Sequence, residues 1–221
     1  DRVRAAAAQS PQLTLITSQS ELRQLLAQRR RGDAVVGALL GTEGSHALDG
    51  KLENIDRLYA AGFRMMGLQH FFDNRLGGSL HGESQSGLTP FGEQAVRSMT
   101  AKGIMIDVAH SSEATVRDTL RVSNGAALIV SHTGFNGHCA SPRNISDETM
   151  ALITEAGGLI GVGFWADVTC GEGINAIADA IRYGIDQFGI DHIALGSDWD
   201  GSVTTPIDAS QLPHLTQALL D

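Results

Sequence analysis

The sequence predicts a parallel α/β fold, most of a (β/α)8 TIM-type barrel, and three observations carry that prediction. Short apolar runs alternate with helix-like segments across short joints, the signature of βα units feeding a parallel sheet. The runs are continuous mixtures of Val, Ile, Leu, Met, Ala and Gly, with no strict apolar–polar alternation, as expected of strands covered on both faces. Several of them also finish on a side chain able to bind a metal. IMIDVAH ends on His110, AALIVSH on His132, IALGSD on Asp198 and FRMMGLQH on His70, while AVVGALLG stops just before Thr42 and Glu43. Parallel folds build their sites at the carboxyl ends of strands, so five such residues on one rim point to metal-dependent hydrolysis.

The elements follow in order. Strands are expected at 34–41, 63–69, 104–109, 126–131, 158–164 and 192–197. Asp1 to Arg4 leads into an Ala-rich, helix-like stretch, and 21–31 carries Leu22, Leu25 and Leu26 at helical spacing. The segment 52–61 follows with Ile55, Leu58 and Tyr59. Thr89 before Pro90 is a cap followed by proline at the first helical position; that helix runs to about Lys102, with Gly103 at its C′ position. Ser112 opens a helix bearing Thr115, Val116 and Leu120, and Ser146 one bearing Met150, Leu152 and Ile153 that ends at Gly157 and Gly158. Ile174–Phe188 closes at Gly189, and Leu212–Leu220 is the last helix. This makes six βα units, whereas a closed barrel has eight strands and typically about 250 residues. The 221 residues therefore read as one metallohydrolase barrel domain, 1–221, lacking its first two strands. No linker, repeat or low-complexity tract divides it.

Composition excludes several function classes. A net charge of −9, from 16 basic and 25 acidic residues, argues against nucleic acid, whose binding needs a basic footprint. Arg29, Arg30 and Arg31 form the basic cluster, where they complement the dipole at a helix C-terminus. No apolar run approaches the roughly 20 residues of a membrane span, and no signal-peptide pattern opens the chain. As given it reads as soluble, with the cytoplasm and a periplasmic or other extracytoplasmic location both open. The two cysteines, Cys139 and Cys170, form no CxxC pair and lie beyond the ends of consecutive predicted strands. A disulfide, implying an oxidising compartment, and two separate buried thiols both fit. No GxSxG elbow, P-loop or Rossmann glycine pattern anchors a serine-hydrolase or nucleotide-binding reading.

His110 and His132 are one βα unit apart, so both imidazoles can reach one mouth. Imidazole with carboxylate suits zinc, manganese or iron. Glu43, in LLGTEGSH, precedes a glycine that permits a sharp turn; its plain alternative is an acid at a helix N-terminus. Asp198, in GSDWDG, is placed to take a proton from a metal-activated water, while Asp200 reads as a turn former. Arg143, in SPRNISDE, suits bidentate binding of a substrate carboxylate or a pair with Asp147 or Glu148. His46 is a weak second candidate, and His81, His138, His192 and His214 read as loop or surface residues. The Gly/Ser-rich loop 74–88 reads as a lid or as a plain solvated connection.

Taken together, GTEGSHAL, GFRMMGLQH, GLTPFGEQAVRSM, GIMIDVAHSS, VSHTGFNGHCASPRNISDE and ALGSDWDG resemble the membrane dipeptidase (renal dipeptidase) family of zinc peptidases, within the amidohydrolase-like metal-dependent TIM barrels. They run in family order from about residue 35 to 202. The resemblance implies two zinc ions bridged by Glu43, with His110 and His132 holding the second. It makes Asp198 the proton acceptor and donor, His70 the group that polarises the scissile carbonyl of the bound substrate, and Arg143 the clamp on the substrate's C-terminal carboxylate. It also implies dipeptide hydrolysis, a Cys139–Cys170 disulfide and, as in many members, a homodimer. Two departures stand out. The family's first metal is held by a His-x-Asp pair at the first barrel strand, and no His-x-Asp occurs in this sequence. FFDNRLGGSLHG after His70 differs from the vertebrate pattern and looks bacterial, which bears on substrate range. Alternatives are a related barrel acting on N-acyl amino acids or another amide or lactone, and a metal-deficient binding homologue.

Overall fold

The computed structural model describes residues 2–221. Its architecture is a curved parallel sheet with helices packed on the outside. Helix α1 (Arg2–Gln9) and strand β1 (Leu13–Leu15) precede α2 (Gln19–Arg30). Ser18 caps α2 by accepting from the Glu21 amide, and Glu21 reaches back to the amide and hydroxyl of Thr17. The expected strand over 34–41 is instead two short ones broken at Leu39. Strand β2 (Val36–Ala38) pairs with β1, and β3 (Leu40–Thr42) pairs with β4 (Phe63–Gly67). One run thus serves two sheets, which apolar composition cannot signal.

From there the order is regular: α3 (Glu53–Ala60), β4, α4 (Pro90–Ala101), β5 (Met105–Asp107), α5 (Glu113–Val122), β6 (Ile129–Thr133) and α6 (Asp147–Glu155). Then come β7 (Leu159–Val162), α7 (Ala166–Thr169), α8 (Ile174–Phe188), β8 (Ile193–Leu195) and α9 (Leu212–Leu220). The caps form as their sequences require: Thr89 accepts from the Gly92 amide, Ser112 from Thr115 and Ser146 from Thr149. Strands β3 to β8 make one parallel sheet in sequence order, the arrangement of successive barrel units. Met66, Ile106, Val130, Ile160 and Val162 of its strands are fully covered, packed in one cluster with Ile55, Val96, Met99, Val116, Met150, Ile153 and Ile177 of the helices. Among the described residues no helix is long and apolar enough to cross a membrane.

Strand limits correct the placement of His132. The strand expected to stop at 131 runs to Thr133, so His132 is inside β6, while His110 lies three residues past β5. Loop 74–88 is pinned by local hydrogen bonds at its start and middle, while 83–86 stay exposed. The Asp73 carboxylate accepts from the Ser79 and Ser84 amides, which holds its pKa below the usual range. Ser79 Oγ donates to the carbonyl of His70 at 2.5 Å, and isolated bridges join Gly77 to Leu88 and Ser79 to Ser111. Cys139 and Cys170 are disulfide-bonded, tying the loop after β6 to the end of α7.

Candidate metal centre

Glu43 follows β3 by one residue, and Gly44 turns the chain there with φ of +78°. Gly67 lets β4 come this close, since a Cβ on it would meet the Gly44 nitrogen at 2.8 Å. One oxygen of Glu43, Oε1, then faces three imidazoles: Nε2 of His110 at 3.0 Å, of His132 at 3.2 Å and of His70 at 3.6 Å. The two buried rings also face each other, Nε2 to Nε2, at 3.0 Å. Three donors around a tetrahedral ion with bonds near 2.0–2.1 Å are spaced about 3.3 Å apart, so this set fits a divalent cation. Converging lone pairs repel unless a proton or a cation lies between them, which is a second sign of the same function.

The metal-competent groups fall into two sets that share Glu43. One is Glu43, His70 and His110; the other is Glu43, His132 and Asp198, each with its candidate donor atoms within 4.8 Å of one another. Glu43 and Asp198 follow the first and last strands of the six-stranded sheet. Their meeting across His132 shows that the sheet curls as a barrel wall does.

Electrostatics separate the members. The imidazoles of His110 and then His132 beside it hold the Glu43 carboxyl far below the usual carboxylate range. Burial pushes His110 down to about 4, against the pull of Glu43, so its ring is neutral near pH 7. Asp198 moves the other way: burial raises it, with Glu43 and Asp200 adding to the shift. Two acids in one site with opposed shifts suit different work, Glu43 as a fixed anion and Asp198 as a proton carrier.

Beside this centre is a cavity of about 450 Å³, lined by His70, Phe71, His81, Arg143, Trp165 and Asp198 among others. Arg143 is buried there, and burial pushes its pKa down to about 10, which leaves it charged at neutral pH. Nη1 donates to the Ala109 carbonyl and Nη2 to that of His132, each at 2.8 Å. The alternative pairings fall away: Asp147 is engaged by Tyr183 and Glu148 by Arg117.

Residues 1–221 match the membrane dipeptidase family (Peptidase family M19) over their whole length. The chain belongs to that family. A relative from Klebsiella pneumoniae, named "Uncharacterized protein in pqqA 5'region", is 31% identical over 208 residues, covering 87% of this chain and 76% of the relative. The probable dipeptidase PvdM from Pseudomonas aeruginosa shares the fold, with a TM-score of 0.88 at 20% identity over 99% of this chain and 71% of that one. A metallo peptidase from Rhodobacter sphaeroides, liganded with a phosphinate mimic of the dipeptide L-Ala-D-Ala, superposes with a TM-score of 0.81 at 26% identity. There the match covers 97% of this chain but 64% of the other, so the chain spans less than two thirds of that structure. Membership of the membrane dipeptidase family makes this a metal-dependent hydrolase of dipeptidase type.

The fold gathers Glu43, His70, His110, His132, Arg143 and Asp198 around one cavity, and Asp200 lines it too. It leaves His46 beside Asp49 and Arg75 in a separate cavity, His138 against Tyr183, His192 on the Gly158 carbonyl and His214 on α9. His81 is an exposed loop residue, as expected, and its ring also lies 5.6 Å from that of His110 and lines the cavity. Trp165 was missed, although its place just beyond β7 obeys the rule that singled out the histidines.

Proposed function

We propose that this family member hydrolyses dipeptides bearing a free C-terminal carboxylate, at a two-zinc site that Glu43, His110 and His132 would help to hold. The observation that carries the reading is Glu43 Oε1 facing three imidazole nitrogens at 3.0–3.6 Å. When bound, such metals supply Lewis acidity that brings the pKa of water toward 7. Glu43, His110 and His132 would hold them. Asp198, raised by burial, takes a proton onto its carboxylate and returns it to the leaving amine. His70 Nε2 donates to the scissile carbonyl oxygen, and loop 74–88 excludes water on that side. Arg143 has no ion-pair partner among the described residues, so a substrate carboxylate would complete its charge. The phosphinate dipeptide mimic bound by the Rhodobacter sphaeroides metallo peptidase agrees with a substrate of this size.

One observation favours a second reading, binding without turnover: the sequence holds no His-x-Asp for a first metal. Elemental analysis of purified protein whose intact mass is also recorded separates the two. Two zincs per chain, with cleavage of a dipeptide but not of its N-acetyl or C-terminal amide form, supports the dipeptidase. Cleavage of N-acyl amino acids instead redirects the reading to another amide hydrolase. One metal or none, with no turnover of any panel member at a mass of 23.3 kDa, sinks it in favour of binding.

A further inference from the structure

The two buried histidines of the metal centre are held in different ways. His110 Nδ1 is buried without a hydrogen-bond partner, so nothing fixes that ring's tautomer from behind. His132 Nδ1 lies 2.8 Å from Ser131 Oγ. That hydroxyl donates to Asp107 Oδ2 at 2.6 Å. A hydroxyl has one proton, so Ser131 meets His132 only as an acceptor. The ring is therefore protonated at Nδ1, and its bare Nε2 faces Glu43 and His110.

Asp107 sets the direction of this chain of bonds. It is the last residue of β5, 4% exposed, and pairs across the sheet with Ile129 of β6. Its Oδ1 accepts the amides of Ala109 at 3.1 Å and Ser131 at 3.0 Å. With Oδ1 occupied by two N–H donors, Oδ2 is left to accept from Ser131. Every donor in the relay points away from the metal side of His132.

We propose that Asp107 and Ser131 are positioning residues that set the tautomer and aim of His132 Nε2, and through it the strength of metal binding. The second half rests on the metal-site reading above. Such supports behind a ligating imidazole orient the ring and raise its basicity. The sequence carries the device openly, as Asp107 three residues before His110 and Ser131 next to His132.

Asp107→Asn tests it because it reverses the relay while keeping its shape. The Asn oxygen stays with the two amides, its Nδ2 donates to Ser131 Oγ, and the hydroxyl proton turns to His132 Nδ1. The imidazole proton must then sit on Nε2, where a metal would bind. Nitrogen NMR of histidine-labelled, metal-free protein reads the tautomer directly, and competition with a chromophoric chelator reads zinc affinity. Wild type is expected as the Nδ1–H form, Asp107→Asn as the Nε2–H form, with zinc bound about 10–100-fold more weakly. Ser131→Ala, which disturbs the fold least, should lose the bias and weaken zinc in the same direction, and Ser131→Thr should restore both. An Nδ1–H ring in both Asp107→Asn and Ser131→Ala overturns the relay. A tautomer that switches between wild type and Asp107→Asn as expected, with wild type binding no zinc, upholds the relay and removes the metal reading instead.

Discussion

Arg143 Nη2 donates to the backbone carbonyl of His132 at 2.8 Å, so the residue proposed to hold substrate also holds a proposed metal ligand. Its Nη1 reaches the carbonyl of Ala109, next to His110. One guanidinium thus ties the end of β5 to the end of β6 and fixes the spacing of both imidazoles. The proposed carboxylate clamp and the backbone of the proposed metal ligands thus share one side chain.

Arg143→Ala should therefore fail in two ways. Loss of a charge-assisted bond of about 1.5–3 kcal/mol should raise KM for a dipeptide about 10–100-fold. The orphaned carbonyls should lower Tm as well. Comparing a dipeptide with its C-terminal amide isolates the first effect, because wild type should discriminate and the variant should not. Equal discrimination by both proteins would remove Arg143 from carboxylate binding.

Asp198→Asn should separate proton transfer from metal holding. Asp198 sits in the left-handed region with φ of +58°, which Asn tolerates, so the turn should survive. The amide cannot carry the proton, and kcat should fall about 10²–10⁴-fold, while Asp200→Asn costs little. Kinetics beside metal analysis decide it: turnover within a few-fold of wild type would exclude Asp198 as the proton carrier.

Much of this was legible because a parallel sheet converts position along the chain into position in space. His70, His110, His132 and Asp198 each end an apolar run, and the fold gathers them at one mouth. What escaped notice lay in tertiary pairing. Leu13–Leu15 becomes a strand only because Val36–Ala38 pairs with it. His81, though exposed as composition suggests, reaches the cavity edge because Asp73 and Ser79 pin the Gly/Ser-rich loop beside it. Asp107 and Ser131 sat inside quoted motifs yet went unread, since attention to strand-end ligands passes over the residues behind them. Arg143 pairs with neither Asp147 nor Glu148, which Tyr183 and Arg117 engage; its bonds to two backbone carbonyls depend on the packed sheet and leave no mark in the sequence.

Cys139 and Cys170 close a loop with a sequence separation of 31, and that loop contains Arg143. In the chain-entropy account a cross-link of this span stabilises by about 3–4 kcal/mol. For a domain of this size that corresponds to roughly 6–16 °C in Tm. The double variant Cys139→Ser, Cys170→Ser should melt lower by that amount and show a raised KM, as the Arg143 loop loosens. Calorimetry of both proteins with and without reductant checks it, since the variant should be indifferent to reductant. A reductant-insensitive wild type, with the bond shown to be reduced, would mean that packing alone fixes this loop.

Tyr183 should make stability fall at alkaline pH. Its hydroxyl donates to Asp147, whose other oxygen accepts the Gly137 amide, so the pair pins the Arg143-bearing loop to α8. The hydrogen bond to Asp147, then some burial and the charge of Asp147 opposing a phenolate, push Tyr183 up to about 12. The folded state thus retains a proton that the unfolded chain releases near pH 10. The contribution is fully present below pH 10 and is lost as pH rises from about 10 to 12. Tm followed across that window should drop more steeply in wild type than in Tyr183→Phe, which has no phenol proton to lose. An absorbance titration should show one tyrosine ionising late, and its disappearance in the variant assigns it. Parallel Tm profiles for the two proteins above pH 10 would show that Asp147 does not hold the phenol in its neutral form.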